Sequence, residues 1–225
     1  MYMWFIYIYF AFLALSVVSW GIRFKHLETP QKILGFSLAI TLTVEIYAAH
    51  LMMQSTNNSF LYHFLIPLQC LLLSSVFYTA LSGKKVRKII LFSLPVFVLA
   101  VLAIMLTLQT IREYNSFARL MKNVLVACWV LFYYREVFIS VKVSRLEREP
   151  MFWISTGLLF YSLGNVFVDG LMNYLIHQSK SWALPIYYIN TFLGILLNLT
   201  FFISFLVKKE APLASPPLKP YSRPL

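Results

Sequence analysis

Asp169 stands in GNVFVDGLMN (residues 164–173), inside an apolar run long enough to cross a bilayer. Asn165 and Asn173 lie four residues to either side of it, so on a helix the three form one polar stripe, which Ser162 extends. Glu45, His63, Arg119 and Asn190 fall in other apolar runs. A carboxylate in hydrocarbon costs about 2.5–3.5 kcal/mol even on the lenient insertion scale. Such a group marks a functional site or clamps helices together. Glu45 and Asp169 could bind a ligand, pair with Arg119, His50 or His63, or join His63 in acid–base work on a lipid head group.

The elements that must position these groups follow from composition. Sixty per cent of the residues are hydrophobic and 12% are charged, with a mean hydropathy of +0.74. A soluble domain carries about 25% charged residues, so this chain belongs in lipid. There, helices satisfy every backbone group within the segment. A span needs about 20 apolar residues, and the chain offers them at 2–21, 33–53, 59–83, 89–111, 151–176 and 184–207. A seventh, fifth in order, is weaker. Its uncharged core runs only from Asn123 to Tyr134, and it must extend over Arg119 and Lys122 at one end and Arg135 and Glu136 at the other.

Charge distribution decides for that fifth span, because cytoplasmic loops are enriched in Lys and Arg. With seven spans and the N-terminus outside, fifteen of the 19 basic residues fall inside, and Arg112, Arg119, Lys122 and Lys180 fall outside. Without it, eight fall inside and eleven outside. The expected fold is therefore all-α: a polytopic membrane protein with seven transmembrane helices, the N-terminus outside and the C-terminus cytoplasmic. The bundle covers 1–209. A proline-rich tail, 210–225, is expected to be disordered or polyproline II. The net charge of +11 then fixes orientation against anionic lipid heads. Nucleic-acid binding would need a soluble basic domain, which is absent.

Punctuation agrees. The first run lacks a basic n-region and is followed by Arg23 and Lys25, the order of an uncleaved helix. Thr29-Pro30 reads as an N-cap and first-turn proline, and Pro150 and Pro185 open spans six and seven in the same way. Pro67 and Pro95 lie within spans three and four. Cys70 and Cys128 lack metal-ligand spacing and read as packing residues.

Polar or small stripes recur on four spans: Ser37, Thr41, Glu45 and Ala49; His63, Pro67, Cys70, Ser74 and Tyr78; Asn165, Asp169 and Asn173; Asn190, Gly194 and Asn198. At about 1.5 Å per residue, Glu45 lies roughly 3 Å outward of its span centre, Asp169, Asn190 and His63 roughly 8–10 Å, and Arg119 about 12 Å. An outward-facing polar pocket of Glu45, His63, Arg119, Asn165, Asp169, Asn173 and Asn190 is the expected site.

Familiar chemistries fit poorly. A retinal pigment needs a lysine in the last span, and 184–207 has none. A zinc hydrolase needs about three ligands and an activated water, but there is no H-x-x-x-H pair. Secondary transporters usually carry internal repeats, and none is visible. No catalytic residue, metal ligand or cofactor is assigned.

The segments NNSFLYHFLIPLQCLLLSSVFY (57–78), LEREPMFWISTGLLFYSLGN (146–165) and INTFLGILLNLTFF (189–202) resemble the signature segments of a family of small bacterial membrane proteins with about seven helices and no assigned activity. That pattern has an acidic residue in span two, a Tyr-His pair opening span three and a Trp-Ile-Asn/Ser start to span six. Glu45, Tyr62-His63 and Trp153-Ile154-Ser155 fill those places, whereas Gln69 replaces an acid and Asn190 a histidine. The resemblance implies architecture and a bacterial inner (cytoplasmic) membrane location. Three functions remain open. The first is a sensor or receptor-like module that takes a small molecule or lipid into the pocket and signals through a membrane or cytoplasmic partner protein. The others are an intramembrane hydrolase-type enzyme acting on a lipid, and a ligand-free scaffold.

Overall fold

The computed structural model describes residues 2–107, 115–140, 145–178 and 180–208, without the side chains of 2, 3, 140, 171–178 and 180–187. The tail from 209 onward lies outside the described residues. The described chain is helical: α1 Tyr2–Arg23, α2 Thr29–Met53, α3 Ser59–Ala80, α4 Lys84–Thr107, α5 Ser116–Ser140, α6 Pro150–Gln178 and α7 Lys180–Leu206, with short 3-10 turns at Phe24–His26 and Leu146–Arg148. Each of the seven is long and apolar enough to cross a membrane. The fifth, weak in sequence, is a continuous 25-residue helix.

Local signals set the boundaries, with two departures from expectation. The N-cap of α2 is Glu28, not Thr29. The Glu28 side chain accepts from the backbone at Gln31, and the Gln31 side chain answers the Glu28 N–H at 3.0 Å. This capping box satisfies two otherwise orphaned donors, with Pro30 in the first turn. Pro150 opens α6 as expected. Pro185 does not open α7, which starts five residues earlier at Lys180. The Lys84–Lys88 cluster forms the first turn of α4.

The helices close into a ring. α1 packs on α2 and α7, α3 on α2 and α5, and α6 on α5 and α7. α4 packs against α3 and α5 and sends no residue into the interior cavity described below. Its Ile89, Leu91, Phe92, Val96, Leu99, Leu102 and Leu106 are exposed, so its outer face is apolar. Around the ring, Leu13, Leu34, Ile66, Phe77, Trp129, Ile154 and Phe205 are buried to within a few per cent.

The end of the ring that carries the basic residues is sealed by hydrogen bonds. Arg23 donates to the Leu206 carbonyl and the Gln31 amide to the Ser204 carbonyl, both at 2.6 Å, which ties α1 and α2 to the last turn of α7. These are carbonyls that a helix end leaves without intrahelical partners. Glu136 of α5 accepts the backbone N–H of Ser82 at 2.8 Å and of Gly83 at 3.4 Å, fixing the α3–α4 turn.

Close helix approach depends on missing side chains. A Cβ on Gly35 would fall 1.9 Å from Trp20 Cδ1, and one on Gly157 would fall 1.9 Å from Thr200 Oγ1. Gly35→Ala gains helix propensity worth about 1 kcal/mol. The overlap with a bulky ring should cost about 1–3 kcal/mol or more. The thermal midpoint of Gly35→Ala in detergent is therefore expected to fall. Gly21→Ala, with no atom within 4 Å of its new carbon, should not lower it.

Candidate functional site

The ring encloses a cavity of about 390 Å³ lined by α1, α2, α3, α5, α6 and α7. That size is within the roughly 300–1,000 Å³ of ligand sites. It reaches Met52, Asn58 and Ser59 at the α2–α3 turn, remote from the sealed basic end, and runs down to Leu34 and Phe201. Along α2 that is about 27 Å, at 1.5 Å per residue. The lower part is apolar, with Leu13, Leu34, Leu38, Leu73, Leu158 and Phe201 on its wall.

Two hydrogen-bonded threads cross the upper part. In the first, Lys122 Nζ donates to Gln69 Oε1 at 2.9 Å, Gln69 Nε2 to Thr41 Oγ1 at 3.0 Å, and the Thr41 hydroxyl to the Ser37 carbonyl at 2.9 Å. This links α5, α3 and α2. The second starts at Asp169 on α6, which accepts from Asn123 Nδ2 at 3.2 Å and faces Arg119 Nε at 4.0 Å. The Arg119 guanidinium lies 5.8 Å from the centre of the Tyr62 ring, and the Tyr62 hydroxyl donates to Glu45 Oε2 at 3.1 Å. This thread joins α6, α5, α3 and α2.

The expected pocket residues divide into two shells. Glu45, Arg119 and Asn190 stand on the cavity wall. His63, Asn165 and Asp169 are buried behind it, at 8%, 0% and 1% exposure. His63 Nδ1 is hydrogen-bonded to the Asn115 amide at 3.1 Å. Asn165 donates back to the Tyr161 carbonyl at 2.9 Å, and its Oδ1 has no hydrogen-bond partner. The side chain of Asn173 lies outside the described residues.

Two stripes hold and one shifts. Ser37, Thr41, Glu45 and Ala49 all line the cavity, as do Asn190, Gly194 and Asn198. On α3 the cavity face is instead Ser59, Tyr62, Leu65, Ile66, Gln69 and Leu73, about 100° from the His63 stripe. That stripe turns to α5 at Asn115, and its far end, Tyr78, is exposed.

Sequence reasoning missed the role of Lys122, which it counted as a charge of the outer loop. Lys122 is on α5, 6% exposed, and lines the cavity, with its ammonium donating to Gln69. The signal was present: Arg119, Lys122 and Asn123 are a turn apart, so a helix extended over them must point them inward or into lipid. Gln69, Asn123, Tyr9 and Tyr161 were also missed, because single amides and tyrosines in apolar runs are common.

Chemically the wall presents two cations and one carboxylate, with hydroxyls from Tyr9, Tyr62, Tyr161 and Ser162. Among the described residues no three His, Cys, Asp or Glu side chains come together to hold a metal ion. Cys70 and Cys128 are free thiols. Comparison with protein families, with curated proteins and with solved structures finds no match.

Asp169 and Glu45 should differ as structural elements. Asp169→Asn keeps an acceptor for Asn123 but removes the charge facing Arg119. Breaking a buried pair costs about 3–5 kcal/mol, here reduced because the Arg119 side chain is 15% exposed. Glu45→Gln keeps the acceptor for Tyr62. The thermal midpoint should drop clearly for Asp169→Asn and stay near wild type for Glu45→Gln; equal drops would make both carboxylates parts of one clamp.

Proposed function

We propose that this protein is a membrane sensor or receptor-like module that binds a small molecule or the head group of a lipid in the cavity and passes the change in helix packing to a partner protein. The observation that carries this is the cavity itself. It is bounded by six helices, lined at one end by opposed charges, and extends away from the end where Arg23, Gln31 and Glu136 lock the helix termini together. A ligand drawn in by those charges contacts six helices at once, so its differential contacts can shift their packing.

We further infer that the helices cross a membrane with the cavity mouth outside and the basic turns in the cytoplasm. The Lys and Arg distribution supports that orientation. A bacterial cytoplasmic membrane is supported by the segment resemblance alone. His63 stands off the cavity wall and is held by Asn115. The hydrolase reading therefore lacks a histidine at the cavity among the described residues. The scaffold reading leaves unexplained why Glu45 and Lys122 face open space.

Orientation is checked with single cysteines in a Cys70→Ser, Cys128→Ser background. Asn57→Cys in the α2–α3 turn should react with an impermeant maleimide on intact cells, and Ser82→Cys only after lysis. The reverse pattern overturns the topology. Ligand binding is checked by mass spectrometry of molecules released from purified protein, followed by thermal shift with whatever is found. A ligand at 100 times its Kd should stabilise by about 2.7 kcal/mol. Asn190→Phe, which fills the cavity, should abolish the shift; a shift that survives places binding elsewhere.

A further inference from the structure

We propose that the ligand is a zwitterion with an apolar tail: Glu45 holds its ammonium, Lys122 holds its carboxylate or phosphate, and the tail lies in the lower shaft. This rests on the cavity being a binding site and names the chemistry it selects.

Four charged side chains surround the upper cavity, and two are matched to each other. Asp169 faces Arg119 at 4.0 Å behind the wall. Lys122 and Glu45 have no such contact pair, although Arg119 acts on Glu45 and Asp169 on Lys122 at longer range. The direct partner of Lys122 is the neutral amide oxygen of Gln69, and that of Glu45 is the neutral hydroxyl of Tyr62. Neither forms an ion pair with the other or with another described residue. Buried charges are costly unless matched by opposite charge and full hydrogen bonding. Lys122 and Glu45 have the simplest remedy available, which is to pair, and they do not take it. Gln69 holds the ammonium at the level of Thr41, and Glu45 stands four residues up α2, about 6 Å.

The result is a fixed dipole facing open space. An anion at this place would meet Glu45, a cation would meet Lys122 and Arg119, and a neutral molecule would leave both charges unmatched. A molecule carrying both charges satisfies both. The surroundings fit each half. Tyr9, Tyr62 and Tyr161 line the same cavity as Glu45, and aromatic residues are the usual company of a bound ammonium. Ser162 is among the residues lining the cavity, and its buried hydroxyl has no hydrogen-bond partner among the described residues. From Thr41 down to Leu34 the wall is mostly apolar for about 10 Å, with Ser37 and Asn198 as its polar residues, room for a short hydrocarbon tail.

This chemistry has two sources: a free amino acid with an apolar side chain, or a zwitterionic lysolipid. Detergent-purified full-length protein is titrated with L-leucine and with a short-chain (hexanoyl) lysophosphatidylethanolamine. It is also titrated with their charge-deleted counterparts: 4-methylpentanoate, isoamylamine and lysophosphatidic acid. One of the two zwitterions should bind, and which one identifies the source. Deleting the ammonium from either zwitterion, or the carboxylate from leucine, should weaken binding about tenfold or more. Glu45→Gln should abolish the preference for the ammonium-bearing probe, and Lys122→Met should weaken all probes that carry an anion. Glu45→Gln keeps its bond to Tyr62, and its unliganded thermal midpoint verifies folding, so the test stands even if Lys122→Met does not fold. Charge-deleted probes that bind as well as their parents, no binding of either zwitterion, or a preference that survives Glu45→Gln overturns the assignment. A different ligand that Asn190→Phe excludes would overturn it while leaving the cavity as a binding site.

Discussion

The organising constraint is that charge inside an apolar ring must be answered within reach of its own side chain. Asp169, Arg119, Lys122 and Glu45 enter helices whose outer faces are nearly pure hydrocarbon. Facing outward would cost several kcal/mol each, so the helices rotate until these groups face one another. The two polar threads follow from that rotation, and they connect α2, α3, α5 and α6 at one level. The remaining two helices are drawn in by small residues and backbone bonds. Ser16 of α1 donates to the Asn198 carbonyl of α7 at 2.9 Å, and Gly194 of α7 lies against the Tyr9 ring.

The bundle is therefore asymmetric along its axis. At the basic end, side chains tie helix termini together, and the interior is packed with Phe77, Trp129, Ile154 and Phe205. Toward the other end the packing gives way to a cavity, because polar groups hold the helices at the spacing their hydrogen bonds require. An apolar set would close that gap by dispersion. A three-member chain such as Lys122–Gln69–Thr41 spans it and keeps it open. The same groups thus explain the existence of the space.

α4 illustrates the opposite case. Its spanning segment has no charge beyond the Lys84–Lys88 turn, and it packs outside the polar ring against α3 and α5. α1 is equally free of charge in its span and enters the ring through the Ser16 bond to the Asn198 carbonyl, which α4 has no counterpart to among the described residues.

The number of helices, their approximate limits and the orientation expected from basic residues follow from the sequence alone, because segment hydropathy and loop charge are local quantities. Two of the polar stripes were legible for the same reason: Ser37–Thr41–Glu45 and Asn190–Gly194–Asn198 lie at helical spacing with no competing face. The α3 stripe was not legible. Both the His63 and the Tyr62–Gln69 faces carry polar groups, and only the positions of Asn115, just before α5, and Lys122, on α5, decide which face meets the cavity. Tertiary structure also decided that Asp169 is a wall support and Lys122 a wall residue. A charge's role depends on which opposite charge reaches it, and that distance is set by helix packing between residues far apart in the chain.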